Sequence, residues 1–377
     1  MGMRKIYSAI ILVLIVILWN ACSSSKIQST KKVSLEEMMG QMIMVGFRGL
    51  EISEDSTIAK DIKAGKVGGV ILFNRDVALG TTVRNITSPE QVKKLNNSLQ
   101  SFAKIPLFIA VDQEGGKVVR LRADAGFPAT VSQQYLGTLN LEDSTRFYAH
   151  RMAAIMKAVG FNVNFAPSVD VNVNPASPVI GAIGRSFSGD TSIVTRHARI
   201  IIDEQSKNKI ISVLKHFPGH GSAGADSHLG FVDVSQTWQS YELAPYRALI
   251  QSGKVEMIMT AHIFNSQWDA QYPATLSRYV ITEMLRNQLG FKGVVISDDM
   301  NMKAISEYYS FEKAIEMAVN AGVDILLIAN NINYDQQAAS KTLNVLKQLV
   351  QEGKISPERI EESYKRIMAL KKQQLAS

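Results

Sequence analysis

The chain has 377 residues, of which 46% are hydrophobic and 20% charged, with 25 glycines and 10 prolines, a balance that excludes a disordered, collagen-like or low-complexity protein. Its formal charge is +7, but the basic residues are scattered, with no run longer than Lys31-Lys32 or Lys371-Lys372, so nucleic-acid binding has no footprint. One cysteine excludes an intramolecular disulfide and any zinc or iron–sulfur site built from cysteines.

At the N-terminus Arg4 and Lys5 precede fourteen uncharged residues, Ile6 to Trp19. That run is short for a spanning helix, which needs about 20 residues, and fits the apolar core of a signal peptide. Ala21-Cys22 and the polar stretch Ser23 to Lys32 follow, so the lone cysteine falls directly after the apolar run. The arrangement resembles a bacterial lipoprotein signal, although Trp19-Asn20-Ala21 lacks the Leu usual three residues before the cysteine. The resemblance implies a signal peptide over 1–21, lipidation of Cys22, a polar tether over 22–34 and a protein held at the cell envelope by its lipid anchor alone, facing the periplasm. Loss of Arg4 and Lys5 would lower the formal charge to +5.

Beyond the tether, eight short apolar runs are bounded by Gly, Pro or polar residues: Gln41–Phe47, Val67–Phe73, Leu107–Asp112, Asn162–Val171, Ile211–Phe217, Glu256–Ile263, Gly293–Asp299 and Val323–Ala329. Most are continuous rather than alternating, as expected of parallel strands covered on both faces. Helical spacing lies between them. Pro89 opens one helix with Val92, Leu95, Leu99 and Phe102 on one stripe. Others are predicted over 142–159, 190–208 (with Asp190-Thr191 as an N-cap pair), 241–252, 279–289, 303–321, 335–351 and 357–373. Strand and helix alternating eight times over about 340 residues predict an α/β fold, a single-domain (β/α)8 TIM barrel over 35–377, in preference to a doubly wound open sheet.

In such barrels chemistry sits at the C-terminal ends of the strands. Those ends are unusually polar here: Asp112-Gln113-Glu114-Gly115-Gly116, Lys215-His216-Phe217-Pro218-Gly219-His220-Gly221, Thr260-Ala261-His262 and Ser297-Asp298-Asp299. Four of the six histidines lie between 216 and 262. Three familiar patterns fail on inspection. Gly219 to Gly224 spells G-x-G-x-x-G, but no helical stripe follows to seat a phosphate. His216 and His220 are four apart, but Pro218 and Gly219 between them preclude a shared helical face, and no Glu follows the first His. Ser222 has His220 where a nucleophile elbow requires Gly. A metal centre from His216, His220, His228, His262 and Asp298 is disfavoured, because no His-x-His ends an early strand.

The strings Val111 to Gly116 with Arg120, Gly184-Arg185-Ser186-Phe187, Lys215 to Gly221, Asp226-Ser227-His228, Ala261-His262 and Ser297-Asp298-Asp299-Met300 resemble, in order, glycoside hydrolase family 3 and its single-domain β-N-acetylglucosaminidases. The resemblance implies a retaining, two-step exo-hydrolysis of terminal β-linked GlcNAc from peptidoglycan-derived or related glycans, with no cofactor and no metal. It makes Asp298 the nucleophile, with Asp299 as a supporting or capping carboxylate. It makes His228, oriented by Asp226, the acid/base in place of the Glu that a second domain supplies in larger relatives. An imidazole suits that work because it titrates near neutrality. Asp112, Arg120, Arg185, Lys215, His216 and His262 become candidate sugar-binding residues, with Arg120 alternatively an ion-pair partner of Asp112 or Glu114, and His262 alternatively a packing residue. Ser222-Ala223 departs from the Asp-Thr common in the family. A β-glucosidase or phosphorolytic relative, a non-catalytic glycan-binding lipoprotein and a metal-dependent barrel hydrolase stay open as alternative functions, as does the oligomeric state.

Overall fold

The computed structural model describes residues 33–375, so the signal, Cys22 and most of the tether lie outside the described residues. Helix α1 (Leu35–Gln41) leads into β1 (Ile43–Gly46), and α2 (Thr57–Lys63) connects it to β2 (Gly69–Ile71). Next come α3 (Pro89–Ser101), β3 (Phe108–Val111), α4 (Gln133–Leu139), α5 (Glu142–Ala158), β4 (Val163–Asn164), α6 (Thr191–Lys207) and β5 (Ile211–Phe217). The chain continues through α7 (Ala244–Gln251), β6 (Met257–Thr260), α8 (Tyr279–Gln288, wound as a π-helix), β7 (Val294–Ile296), α9 (Lys303–Ser306), α10 (Phe311–Ala321), β8 (Leu326–Ile328), α11 (Ala338–Gln351) and α12 (Pro357–Leu375). The strands are all parallel in the order β7-β6-β5-β4-β3-β2-β1-β8, and a bridge between Ile296 and Ile325 brings β7 to β8. This nearly closed ring is the expected (β/α)8 barrel.

Every residue of every strand is buried, which is why the runs read as continuous apolar segments. The barrel is tight enough that β2 begins with glycine: a Cβ at Gly69 would stand 2.8 Å from Met44 Cε and 3.0 Å from Phe108 Cβ. The helix signals act as the sequence predicts. The Ser88 hydroxyl accepts the Gln91 N–H at 3.2 Å ahead of Pro89, and Val92, Leu95 and Leu99 are buried. Asp190 caps α6 by accepting the Ser192 N–H at 2.8 Å.

Two segments differ from expectation. The run 162–171 pairs as a strand only at Val163–Asn164, because Pro167 has no N–H to donate to a ladder; the chain then rejoins β5, with Val169 N–H donating to Lys215 O at 2.9 Å. This detour places Asp170 beneath the end of β5. The segment 303–321 is two helices, since the Ser310 hydroxyl caps a new start at Phe311. The seven-residue helices α1, α2 and α4 are too short to show a periodic stripe. Among the described residues no helix is long and apolar enough to cross a membrane.

Candidate active site

A cavity of about 430 Å³ opens at the C-terminal end of the barrel, and Asp112, Arg120, Arg185, Lys215, His216, His228, Asp298 and Asp299 all line it. Four strand ends, those of β3, β4, β5 and β7 with the loops that follow them, contribute these residues, and the alternation of strands and helices delivers them to one end.

The floor is a network of paired charges. Lys215 Nζ donates to Asp112 Oδ1 at 2.9 Å and lies 2.6 Å from Glu114 Oε1. Arg185 grips Glu114 with both arms of its fork, Nε to Oε2 at 2.8 Å and Nη2 to Oε1 at 2.7 Å, and donates to Val179 O at 2.9 Å. Burial works against both carboxylates, but Arg185 and Lys215 outweigh it at Glu114, pulled down to about 2, and Lys215 with Arg120 outweighs it at Asp112, held below the usual carboxylate range. Arg120 Nη2 is 3.6 Å from Asp112 Oδ2, while its buried Nε has no partner.

Behind the floor, Asp170 is fully buried and organises the end of β5. It accepts from the main-chain N–H of His216 at 3.1 Å and of His220 at 2.7 Å, and it faces His216 Nδ1 at 2.7 Å. Arg185 Nη2 donates to His216 Nε2 at 3.2 Å. With Nε2 accepting, the network assigns the ring proton to Nδ1, directed at Asp170.

Asp298 follows β7 and accepts the N–H of Asp299 at 2.8 Å. Burial opposes its charge, yet the neighbouring rings of His262, His216 and His228 hold it below the usual range, so the carboxylate is ionised at neutral pH. Asp299 turns away: its Oδ1 accepts from Ala329 N–H at 2.9 Å and Asn301 N–H at 3.1 Å, and burial pushes its carboxyl up to about 6. The two adjacent carboxylates thus occupy different environments. His262 is 1% exposed and does not line the cavity. Its Nε2 donates to Asp299 O at 3.0 Å and its Nδ1 faces the Thr275 hydroxyl at 2.8 Å.

On the loop after β5, His228 Nδ1 lies 2.8 Å from Asp226 Oδ1, which also accepts the His228 main-chain N–H at 2.8 Å. Burial disfavours the charged ring, but the bond to Asp226 and the Asp298 charge prevail and raise its pKa above the ordinary value. The ring is half exposed, with Nε2 opposite the bonded nitrogen. Ser227 O accepts the Ala304 N–H at 3.2 Å, which joins this loop to the segment after Asp298.

All the sequence-predicted residues except His262 and Asp226 therefore face one cavity; Asp226 reaches it through His228. Sequence reasoning gave Glu114 no role beyond pairing with Arg120, although it anchors Arg185 and Lys215, and it missed Asp170. The available signal for Asp170 was a lone carboxylate inside an apolar run. Among the described residues no three His, Cys, Asp or Glu side chains are arranged to hold a metal ion, and the Ser222 hydroxyl is buried.

Residues 34–370 match the family described as "Glycosyl hydrolase family 3 N terminal domain". Beta-hexosaminidase A of Pseudoalteromonas piscicida is 32% identical over 90% of this chain and 61% of its own length. The Beta-hexosaminidase of Haemophilus influenzae is 36% identical over 76% of this chain and 79% of its own. The solved glycoside hydrolase family 3 beta-N-acetylglucosaminidase from a Paenibacillus species is 36% identical with a TM-score of 0.82, covering 91% of this chain and 63% of that one. The chain thus spans about three fifths of the length of two of these relatives and about four fifths of the third. The match over nearly all the described residues, together with the site geometry, places the chain in glycosyl hydrolase family 3.

Proposed function

We propose that the protein is a retaining exo-β-N-acetylglucosaminidase that releases terminal β-linked GlcNAc. The observation that carries this reading is the pairing, in one cavity, of an ionised Asp298 with a half-exposed His228 already bonded to Asp226. The names of the relatives supply the sugar; the cavity supplies the chemistry.

The steps follow from the groups present. Asp112 and Lys215, with the Arg120 guanidinium beside them, grip the hydroxyls of the terminal sugar, and His216 lines the same cavity. Arg185 is committed to Glu114 and His216, so it shapes that grip as much as it makes it. Protonated His228 gives its Nε2 proton to the glycosidic oxygen while an Asp298 carboxylate oxygen bonds to the anomeric carbon and the aglycone departs. His228, now neutral, takes a proton from water; the hydroxide oxygen bonds to the anomeric carbon and Asp298 is released. Two inversions return the original β configuration. Asp226 holds the ring in place and favours its charged form. His262 acts as a positioning residue, since its Nε2 fixes the main chain of the Asp298-Asp299 pair. We further infer, from the run ending at Cys22, a lipid tether at the cell envelope and substrates drawn from peptidoglycan-derived or related glycans.

The test is a panel of aryl and alkyl β-glycosides, with the anomer of the first-formed product followed by NMR. The reading expects β-GlcNAc as first product, little turnover of the corresponding glucosides and no dependence on phosphate. Sugar binding without turnover at high protein concentration would establish a glycan-binding role instead.

A further inference from the structure

Beneath the loop that bears His228 and Asp226 lies a second buried carboxyl group that the mechanism above does not use. Glu242, in the short helical turn Ser240–Leu243 before α7, is fully buried. Its Oε2 accepts the Gly221 N–H at 3.1 Å and its Oε1 accepts the Gln239 N–H at 3.1 Å. The carbonyl of Gly221 is also fixed, with Gly221 O accepting the Asn174 N–H at 3.0 Å. The backbone passes directly over the carboxyl: a Cβ on Gly219 would stand 2.8 Å from Glu242 Cβ, and one on Gly221 would stand 1.7 Å from Val171 O. Gly221 is therefore held from both sides at the point where the loop leaves the barrel, five residues before Asp226.

We propose that Glu242 is a positioning residue for the acid/base loop, its carboxylate clamping Gly221 so that the Asp226–His228 pair is presented to the glycosidic oxygen, and that a proton on Glu242 releases the clamp. The proposal rests on the assignment of His228 as the acid/base. The mechanism is elementary: an ionised carboxylate accepts two N–H groups at once, whereas a protonated one offers a weaker acceptor and a donor with nothing to receive it.

The surroundings suit such a role. Among the described residues no cation pairs with Glu242. Burial raises its pKa to about 7, with the negative charge of Asp170 adding to the effect and the two N–H donors opposing it. The groups around it are Asp170, already spent on the main chain of His216 and His220; the Tyr246 phenol, fully buried and without a hydrogen-bond partner; and the Ser222 hydroxyl, beside the carboxyl but outside good hydrogen-bond geometry. His220 is kept neutral at physiological pH, its pKa pulled down to about 4 by burial and by His216, and its Nε2 is 3.4 Å from the Ser227 hydroxyl, next to His228.

The experiment compares wild type, Glu242→Gln, Ser222→Ala and His228→Ala, as full-length chains, on alkyl and nitrophenyl β-N-acetylglucosaminides across pH 5–9. For the wild type, kcat on the alkyl glycoside should fall as pH drops through about 7, because the clamp is lost as Glu242 gains its proton. Glu242→Gln should lower kcat on the alkyl glycoside by on the order of 10–100-fold with KM nearly unchanged, spare the nitrophenyl glycoside, and lack the acid limb near 7. Ser222→Ala should move that limb to higher pH, since the hydroxyl favours the ionised form. Asp299, at about 6, is the nearest competing titration, and Ser222→Ala leaves it in place. If His228→Ala slows the alkyl glycoside selectively while Glu242→Gln slows both substrates alike or neither, Glu242 does not position the loop. If His228→Ala itself shows no selectivity, the acid/base assignment fails first. Should Glu242→Gln fail to fold, the wild-type profile decides: a kcat on the alkyl glycoside that does not fall as pH drops through about 7 overturns the proposal.

Discussion

Asp298 and Asp299 are adjacent in sequence but chemically unlike. Asp298 is ionised among three histidines and lines the cavity, whereas both N–H groups received by Asp299 come from the loops around it. Asp298→Asn should therefore abolish turnover, while Asp299→Asn, whose amide oxygen still accepts from Ala329 and Asn301, should keep most of it. Steady-state rates of the two purified variants check this, and equal residual activity would reverse the assignment. His228 gives a second expectation. Asp226 is the strongest influence raising its pKa, so the protonated ring required for the first step persists to higher pH than an ordinary histidine, near 6.5, allows. Asp226→Asn should shift the alkaline limb of kcat/KM to lower pH, as read from the pH–rate profile on a substrate with a poor leaving group. A limb that stays in place would separate the aspartate from the proton transfer.

At the scale of elements, what the sequence reveals depends on length and on locality. The strand β5 was legible to the residue, Ile211 to Phe217, because it is long, fully buried and closed by Pro218. The helices α3 and α6 were legible from their caps, whose hydrogen bonds span only two or three residues. The run 162–171 was misread because apolar content alone does not show where a ladder stops. Its turn away from the sheet at Pro167 brings Asp170 under His216, a partnership 46 residues apart that no local pattern records. Glu114 and Arg185, 71 residues apart, belong to separate motifs, and only the fold shows that one guanidinium holds one carboxylate. His262 carried a rim position in the sequence, but both its nitrogens are turned to Thr275 and Asp299 O. The non-proline cis peptide between Lys215 and His216 has no signature in the residue types. The motifs that carried the family resemblance were thus more informative about the site than about the contacts that hold it.

For the whole molecule, the catalytic end depends on closing the ring at the opposite end. Asp324, just before β8, is fully buried and binds three arginines: Arg286 Nη2 at 2.7 Å from α8, and Arg366 Nη1 at 3.0 Å and Arg359 Nη2 at 3.3 Å from α12. The Ser363 hydroxyl donates to it at 2.8 Å. The cluster pins the last helix against the seam between β7 and β8. Removing one partner of a buried ion pair costs about 3–5 kcal/mol, so Asp324→Ala should lower unfolding stability by at least that order in urea titration, with KM unchanged in the fraction that folds. The central claim concerns the other end, where an aspartate attacks and an imidazole serves both steps. It is tested most directly by peptide mapping of His228→Ala during turnover of an activated aryl β-N-acetylglucosaminide. Without its base the second step slows, by about 10²–10⁴-fold, and the glycosyl-enzyme should accumulate as one added sugar mass located by fragmentation on Asp298. A variant that turns over with no adduct, or with the adduct on another residue, would contradict the account.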